Sequence, residues 1–217
     1  LDDGGNFELS PMYHAIFLED LLDLVNIHHI YDIRLISGVE DKIPSMLSWL
    51  KSMCHPDSGV SFFNDTAFGI APSLKDLIDY SARLNIKKIS KKFKPFEHLK
   101  DSGYIRIEKE NLVAILDVAN IGPNYIPGHG HADVLSFEMS IFGRRVIVNS
   151  GTSIYGESSD RHKQRSTASH STVVVDGQNS SEVWSGFRVA RRAKVIYIKT
   201  KENKNNTEVS ASHDGYK

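Results

Sequence analysis

The residues best suited to chemistry stand in two clusters of the C-terminal half. In Pro127-Gly-His-Gly-His-Ala-Asp133, His129 and His131 lie two positions apart. Alternate side chains of an extended segment face one way, so the two imidazoles would present together, while Gly128 and Gly130 would allow close backbone approach. Such a pair suits a metal ion or an anionic ligand, and histidine readily exchanges a proton near neutral pH. The second cluster, Arg161 to Thr172, places Arg161, Arg165 and His170 just ahead of the apolar run Val173 to Val175. If it returns to the histidine pair, its arginines would fork onto a carboxylate or sulfate. A solvated loop is the alternative. Between the clusters, Asn149-Ser-Gly-Thr closes an expected strand and could complete a three-ligand site, although Asn is a poorer zinc ligand than Asp. In the N-terminal half, Tyr13 and His14 follow Glu8-Leu-Ser-Pro. Taken alone, Tyr13 reads as a packing residue, with His14 directed to a different face.

These residues need elements to position them. Met12, Ile16, Phe17, Leu21, Leu24 and Val25 recur at helical spacing between Pro11 and Ile27, with Ser10 as N-cap and Pro11 in the first turn. Further helices are expected over 41–53 and 73–84. The segment 58–72 between them is rich in turn formers, Asn64-Asp65 and Gly69 among them. It reads equally as a loop reaching a functional surface or as an ordinary connector. Beyond the basic stretch 87–94, short β-prone runs take over: 104–107, 112–118, 134–141, 145–149, 171–176 and 193–199. The tail 200–206 reads as a hairpin connection. Helices followed by strands, without βαβ alternation, predict an α+β chain of two units, 1–90 helical and 91–217 an antiparallel β-sandwich, with the boundary near 87–95.

Composition narrows the partners. With 217 residues, 26 Lys+Arg against 27 Asp+Glu and a formal charge of −1, no overall field favours nucleic acid or an anionic membrane. An anionic ligand must be gripped locally. A single cysteine, Cys54, excludes an internal disulfide. No apolar run approaches the roughly 20 residues of a membrane span, and the first residues lack the features of a signal peptide. The opening without Met, in what reads as a loop before a helix, suggests a piece of a longer polypeptide.

Four ordered motifs carry a resemblance: Gly128-His-Gly-His-Ala-Asp-Val-Leu-Ser-Phe-Glu138, Val146-Ile-Val-Asn-Ser-Gly-Thr152, Arg165-Ser-Thr-Ala-Ser-His-Ser-Thr172 and Val175-Asp-Gly177. Together they resemble the heparinase II/III-like domain of bacterial polysaccharide lyases. Asp3-Gly-Gly-Asn-Phe-Glu-Leu-Ser-Pro-Met-Tyr-His14 is similar to the stretch that supplies the catalytic tyrosine in those enzymes. The resemblance implies an incomplete α/α toroid followed by antiparallel β-sheets, and β-elimination on uronic-acid polysaccharides such as heparan sulfate or alginate. Tyr13 would be the catalytic acid, and also a candidate base, with His129 facing it across the cleft. His14, Arg161 and Arg165 are candidates for substrate binding. His131, Asn149 and His170 match positions that hold a structural zinc in several members, although Asn149 stands where Asp is common. The residue that neutralises the substrate carboxylate would lie before Leu1, so an isolated fragment is expected to have little activity. The substrate class implies a periplasmic or secreted location. Two other readings stay open: a non-catalytic carbohydrate-binding or polysaccharide-assembly module, and a metal-dependent hydrolase using His129, His131 and His170 with Asp133 as base.

Overall fold

A computed structural model of the chain describes residues 1–34, 37–90, 92–203 and 206–217. Residue 91, inside the expected boundary, and residues 204–205, inside the expected tail connection, lie outside the described residues.

The first helix, α1 (Pro11–Tyr31), starts as its sequence dictates: Ser10 is extended and its hydroxyl accepts from Tyr13 N, with Pro11 opening the helix. It buries Ala15, Leu18, Leu22 and Val25 along one stripe. It runs four residues past the expected end at Ile27, stopping at Asp32 in a left-handed conformation. The second, α2 (Val39–Ser52), and the third, α3 (Leu74–Arg83), pack on it, the latter opened by a capping box between Ser73 and Asp76. Among the described residues, no helix is long and apolar enough to cross a membrane.

The β half is built on a five-stranded antiparallel meander, β1 (Phe96–Leu99), β2 (Tyr104–Lys109), β3 (Leu112–Asp117), β4 (Phe137–Ile141) and β5 (Arg144–Ile147), in chain order across the sheet. Phe142 and Gly143, both at positive φ, make the two-residue turn between β4 and β5. Two separate hairpins follow: β6 (Val183–Trp184) with β7 (Arg188–Val189), and β8 (Val195–Glu202) with β9 (Thr207–His213). Val113 and Ile115, alternating inward on β3, join Trp49 and Met53 of the helical half and Phe63 of the loop after it in one buried cluster. Helices and sheet therefore share a core. The fold class, helices followed by antiparallel β-sheets, is the one expected.

Several local expectations change. The run 171–176 is no strand; only Val175 makes an isolated bridge, to Gln178, and Val173 is exposed. Its backbone and hydroxyls bond instead to neighbouring loops, Ser171 N to Asn149 Oδ1 and Thr172 Oγ1 to Val134 O. The strand expected from Val134 starts only at Phe137, because Asp133 to Ser136 closes a turn through Ser136 N to Asp133 O at 2.8 Å. A short helix, α4 (Ser159–Arg165), capped by Ser158, occupies the polar second cluster.

Candidate functional site

The loop between α2 and α3 settles its own role. Asn64, in a left-handed conformation (φ 54°), donates through its amide to Leu9 O, and Tyr104 OH donates to the same carbonyl. Ser10 Oγ, the cap of α1, donates to Asp65 O at 2.8 Å. The start of α1, the loop and β2 are thus tied together, and Asp65 is aimed into the β half. Its carboxylate, with no exposed side-chain surface, accepts from His129 Nδ1 at 2.9 Å, His131 Nε2 at 2.8 Å, Thr152 Oγ1 at 2.9 Å and Arg161 NH2 at 2.7 Å, and pairs with Arg161 NH1 as well. Burial pushes its pKa up, yet the bonds from His129, His131 and Arg161 together hold it well below the usual carboxylate range.

The Gly-His-Gly-His segment is clamped from the other side by Arg165. Its buried guanidinium donates to Gly130 O (2.9 and 3.2 Å), Ser185 O (3.0 Å) and Arg188 O (3.2 Å). Burial and the neighbouring Arg161 lower the Arg165 pKa to about 10. A side chain at Gly130 would bring its Cβ within 2.5 Å of Ile121 Cγ2, so the glycine is needed for close packing. His129 and His131 consequently face the same carboxylate from one short stretch.

Tyr13, one turn into α1, meets His129 with ring centroids 4.1 Å apart. Its hydroxyl donates to Tyr155 OH at 3.1 Å, and Tyr155 stacks on Phe187 at 5.9 Å. Burial, then the bond from Tyr13, raises the Tyr155 pKa. His129 Nε2 sits 3.5 Å from Glu8 Oε1. This side opens on a cavity lined by Glu8, Ile126, Gly128, His129, Ser185, Phe187 and Arg188.

Other candidates land elsewhere. His14 is fully buried, its Nδ1 accepting from Asn6 N (3.1 Å) and its Nε2 donating to Met46 O (3.0 Å), so it cannot reach a ligand. Burial lowers its pKa to about 4. Arg161 and Arg165 are also fully buried and committed to Asp65 and to backbone carbonyls, which removes both from substrate binding. Asn149 Oδ1 accepts from Ser171 N, and its amide donates to Ser136 Oγ. Among the His, Cys, Asp and Glu side chains described, the donors that gather are His131, Asp133 and His170, all within 4.8 Å of one another, without the His129 of the hydrolase reading. Asp133, buried, is likewise no open base. Asp65, Tyr155 and Phe187 were not identified from the sequence; for Asp65 the one signal is a lone charge within Ser61-Phe-Phe-Asn-Asp-Thr-Ala-Phe68.

The three gathered donors fit a zinc ion. His131 Nδ1 and His170 Nε2 stand 3.2 Å apart, close to the ~3.3 Å that two zinc–nitrogen bonds make at a tetrahedral angle. Burial lowers the pKa of His131 and carries that of His170 well down, which keeps both in the neutral form a metal takes. Asp133 Oδ2 is buried without a hydrogen-bond partner among the described residues, and burial pushes its pKa up to about 7. A cation would supply the missing counter-charge.

Residues 91–217 match the sequence family described as heparinase II/III-like, C-terminal. The chain belongs to the heparinase II/III-like family. In fold it is similar to a crystal structure of heparinase III (TM-score 0.72, 16% identity, covering 94% of this chain and 35% of that one). It is similar also to heparan sulfate lyase HepC from Pedobacter heparinus (TM-score 0.71, 19% identity, 100% and 35%). The chain thus spans about a third of the length of these structures. Comparison with curated protein sequences gave no match.

Proposed function

We propose that this chain is part of a polysaccharide lyase that cleaves a uronic-acid polysaccharide, a glycosaminoglycan or alginate, by β-elimination. The observation that carries the reading is the meeting of Tyr13 and His129, drawn from opposite ends of the fold, beside an open cavity. In the reaction a base removes the proton at C5 of the uronate, the C4–O bond breaks to leave a C4–C5 double bond, and an acid protonates the departing oxygen. A phenol and an imidazole in contact can divide these two transfers. Tyr13 serves as the acid in this scheme, and His129, facing it, takes the other transfer. Arg161 and Arg165, committed elsewhere, do not neutralise the substrate carboxylate in this scheme.

His131, Asp133 and His170 would hold a zinc ion, which when bound would staple the loops behind His129 together. Such a substrate places the protein in the periplasm or outside the cell.

The test is ultraviolet absorbance of the unsaturated uronate while the full-length protein acts on a panel of uronic-acid polysaccharides. Wild type is expected to generate the chromophore and Tyr13→Phe to lose it. Silence of the wild type on every polymer would move the reading to a binding or assembly module.

A further inference from the structure

We propose that Asp65 is the positioning residue of this site, one carboxylate from the helical half that sets the tautomer and orientation of both His129 and His131. The role rests on the lyase reading for its catalytic consequence, but its structural content stands alone.

A carboxylate paired with a guanidinium is an acceptor only. Each histidine nitrogen that faces it must therefore carry the proton. Asp65 Oδ2 lies 2.9 Å from His129 Nδ1, and Asp65 Oδ1 lies 2.8 Å from His131 Nε2. In the neutral rings this leaves a lone pair on the opposite nitrogen of each. For His129 that nitrogen is Nε2, on the side of the cavity shared with Glu8. For His131 it is Nδ1, which faces His170. The same carboxylate therefore turns one ring's basic nitrogen to the cleft and the other's to the gathered donors. Arg161 and Thr152 hold Asp65 itself in place by bonding to its carboxylate. The backbone of Asp65 is in turn tied to Ser10, three residues before Tyr13. One residue thereby registers the tyrosine end of the site against the histidine end.

An amide in this position could not do the same. Asn offers one oxygen and one NH2, so whichever histidine met the NH2 would have to accept there and carry its proton on the far nitrogen. One orientation removes the basic Nε2 of His129, and the other removes the lone pair of His131 Nδ1. Either also sets an NH2 against part of the Arg161 guanidinium.

The experiment has two arms on the full-length protein. In the first, Asp65→Asn is compared with wild type on the polymer that wild type cleaves. A fall in kcat of about 100- to 10,000-fold with KM changed less than about threefold is expected, since the group acts on the reacting residue and not on the polymer. A comparable loss in both constants, or a kcat near wild type with the tautomer of neither His129 nor His131 changed in Asp65→Asn, would overturn the proposal. In the second arm, 15N-histidine labelling reads the ring tautomers of the wild type directly. Protons on His129 Nδ1 and His131 Nε2 are expected; a proton on His129 Nε2 alone would sink the idea even if Asp65→Asn fails to fold. If the wild type cleaves no polymer, the lyase reading fails and the tautomers decide the role of Asp65 by themselves.

Discussion

Two buried histidine–carboxylate pairs join the helical half to the β half, and they differ in what they leave open. At the first, His55 Nε2 donates to Glu138 Oε2 at 2.8 Å and its Nδ1 accepts from Ser140 Oγ at 2.7 Å; both pair members have fully buried side chains. Glu138 also accepts from the backbone of Phe62 (2.7 Å) and Asn149 (3.2 Å). Both imidazole nitrogens are used, and neither side chain reaches solvent. At the second, Asp65 is equally enclosed, but His129 gives it only Nδ1 and keeps 22% of its side chain exposed. The chemistry of the pairs is the same, so it is the unspent nitrogen beside a cavity that sets His129 apart from His55, and on the proposed lyase reading that nitrogen makes the one a reactive group and the other a strut. Low solvent access strengthens both pairs, and it makes either costly to break.

The comparison breaks most visibly at Glu138. Replacing it with Ala strands His55 and two backbone donors in a buried setting, where loss of one partner typically costs about 3–5 kcal/mol. Urea unfolding of Glu138→Ala is expected to show a loss of that order. A loss under ~1 kcal/mol would mean that this pair is no strut and that enclosure is a poor guide here.

How far these two sites could be read in the sequence follows from what local pattern encodes. The cap and stripe of α1 lie in adjacent residues, Ser10, Pro11 and the apolar positions one turn apart, and they were legible. So were the β-prone runs that form β2 and β3. The valines 173–175 suggested a strand because β-branched residues suit a pleated surface, but propensity names no partner, and the segment bonds to loops instead. The histidine motif drew attention to His129 and His131. Their shared acceptor did not, because Asp65 sits 64 residues from His129, and nothing local in an Asn-Asp turn announces burial. Side-chain type and a place just ahead of an apolar run suggest ligand binding for Arg161 and Arg165. Their partners are a distant carboxylate and backbone carbonyls, which a one-dimensional reading cannot pair.

A third histidine sharpens the rule through pH. His14 accepts a backbone N–H at Nδ1, so a proton added there would meet Asn6 N–H head on, and burial holds its pKa at about 4 against 6.5. The bond to Met46 O and the Asp3 carboxylate work the other way without offsetting burial. The unfolded chain therefore takes up a proton below about pH 6.5 that the folded chain refuses until about pH 4. Stability attributable to this group is full above 6.5 and drains away as pH falls through that window. At ~1.4 kcal/mol per unit, the loss between pH 7 and pH 5 comes to about 2 kcal/mol. The difference in unfolding free energy between the two pH values, measured by urea titration, should shrink by about that amount in His14→Gln relative to wild type. Equal pH slopes in the two proteins would show that His14 is not held neutral.

The smallest expected effect on stability is at His129, and it is the one that most sharply divides the two pairs. Its ring is partly exposed, its Nε2 has among the described residues no hydrogen bond shorter than the 3.5 Å approach to Glu8, and Asp65 keeps Arg161, His131 and Thr152 if the ring is removed. His129→Gln is expected to lose less than about 1 kcal/mol in urea unfolding, because the carboxylate remains satisfied. Turnover, measured on the same preparation as formation of unsaturated uronate, is expected to fall at least about 100-fold, the usual contribution of a positioned proton-transfer group. A strut gives the opposite pattern: stability lost first and activity only in proportion to the unfolded fraction. If His129→Gln unfolds as readily as Glu138→Ala, the open nitrogen is incidental and both pairs belong to the scaffold.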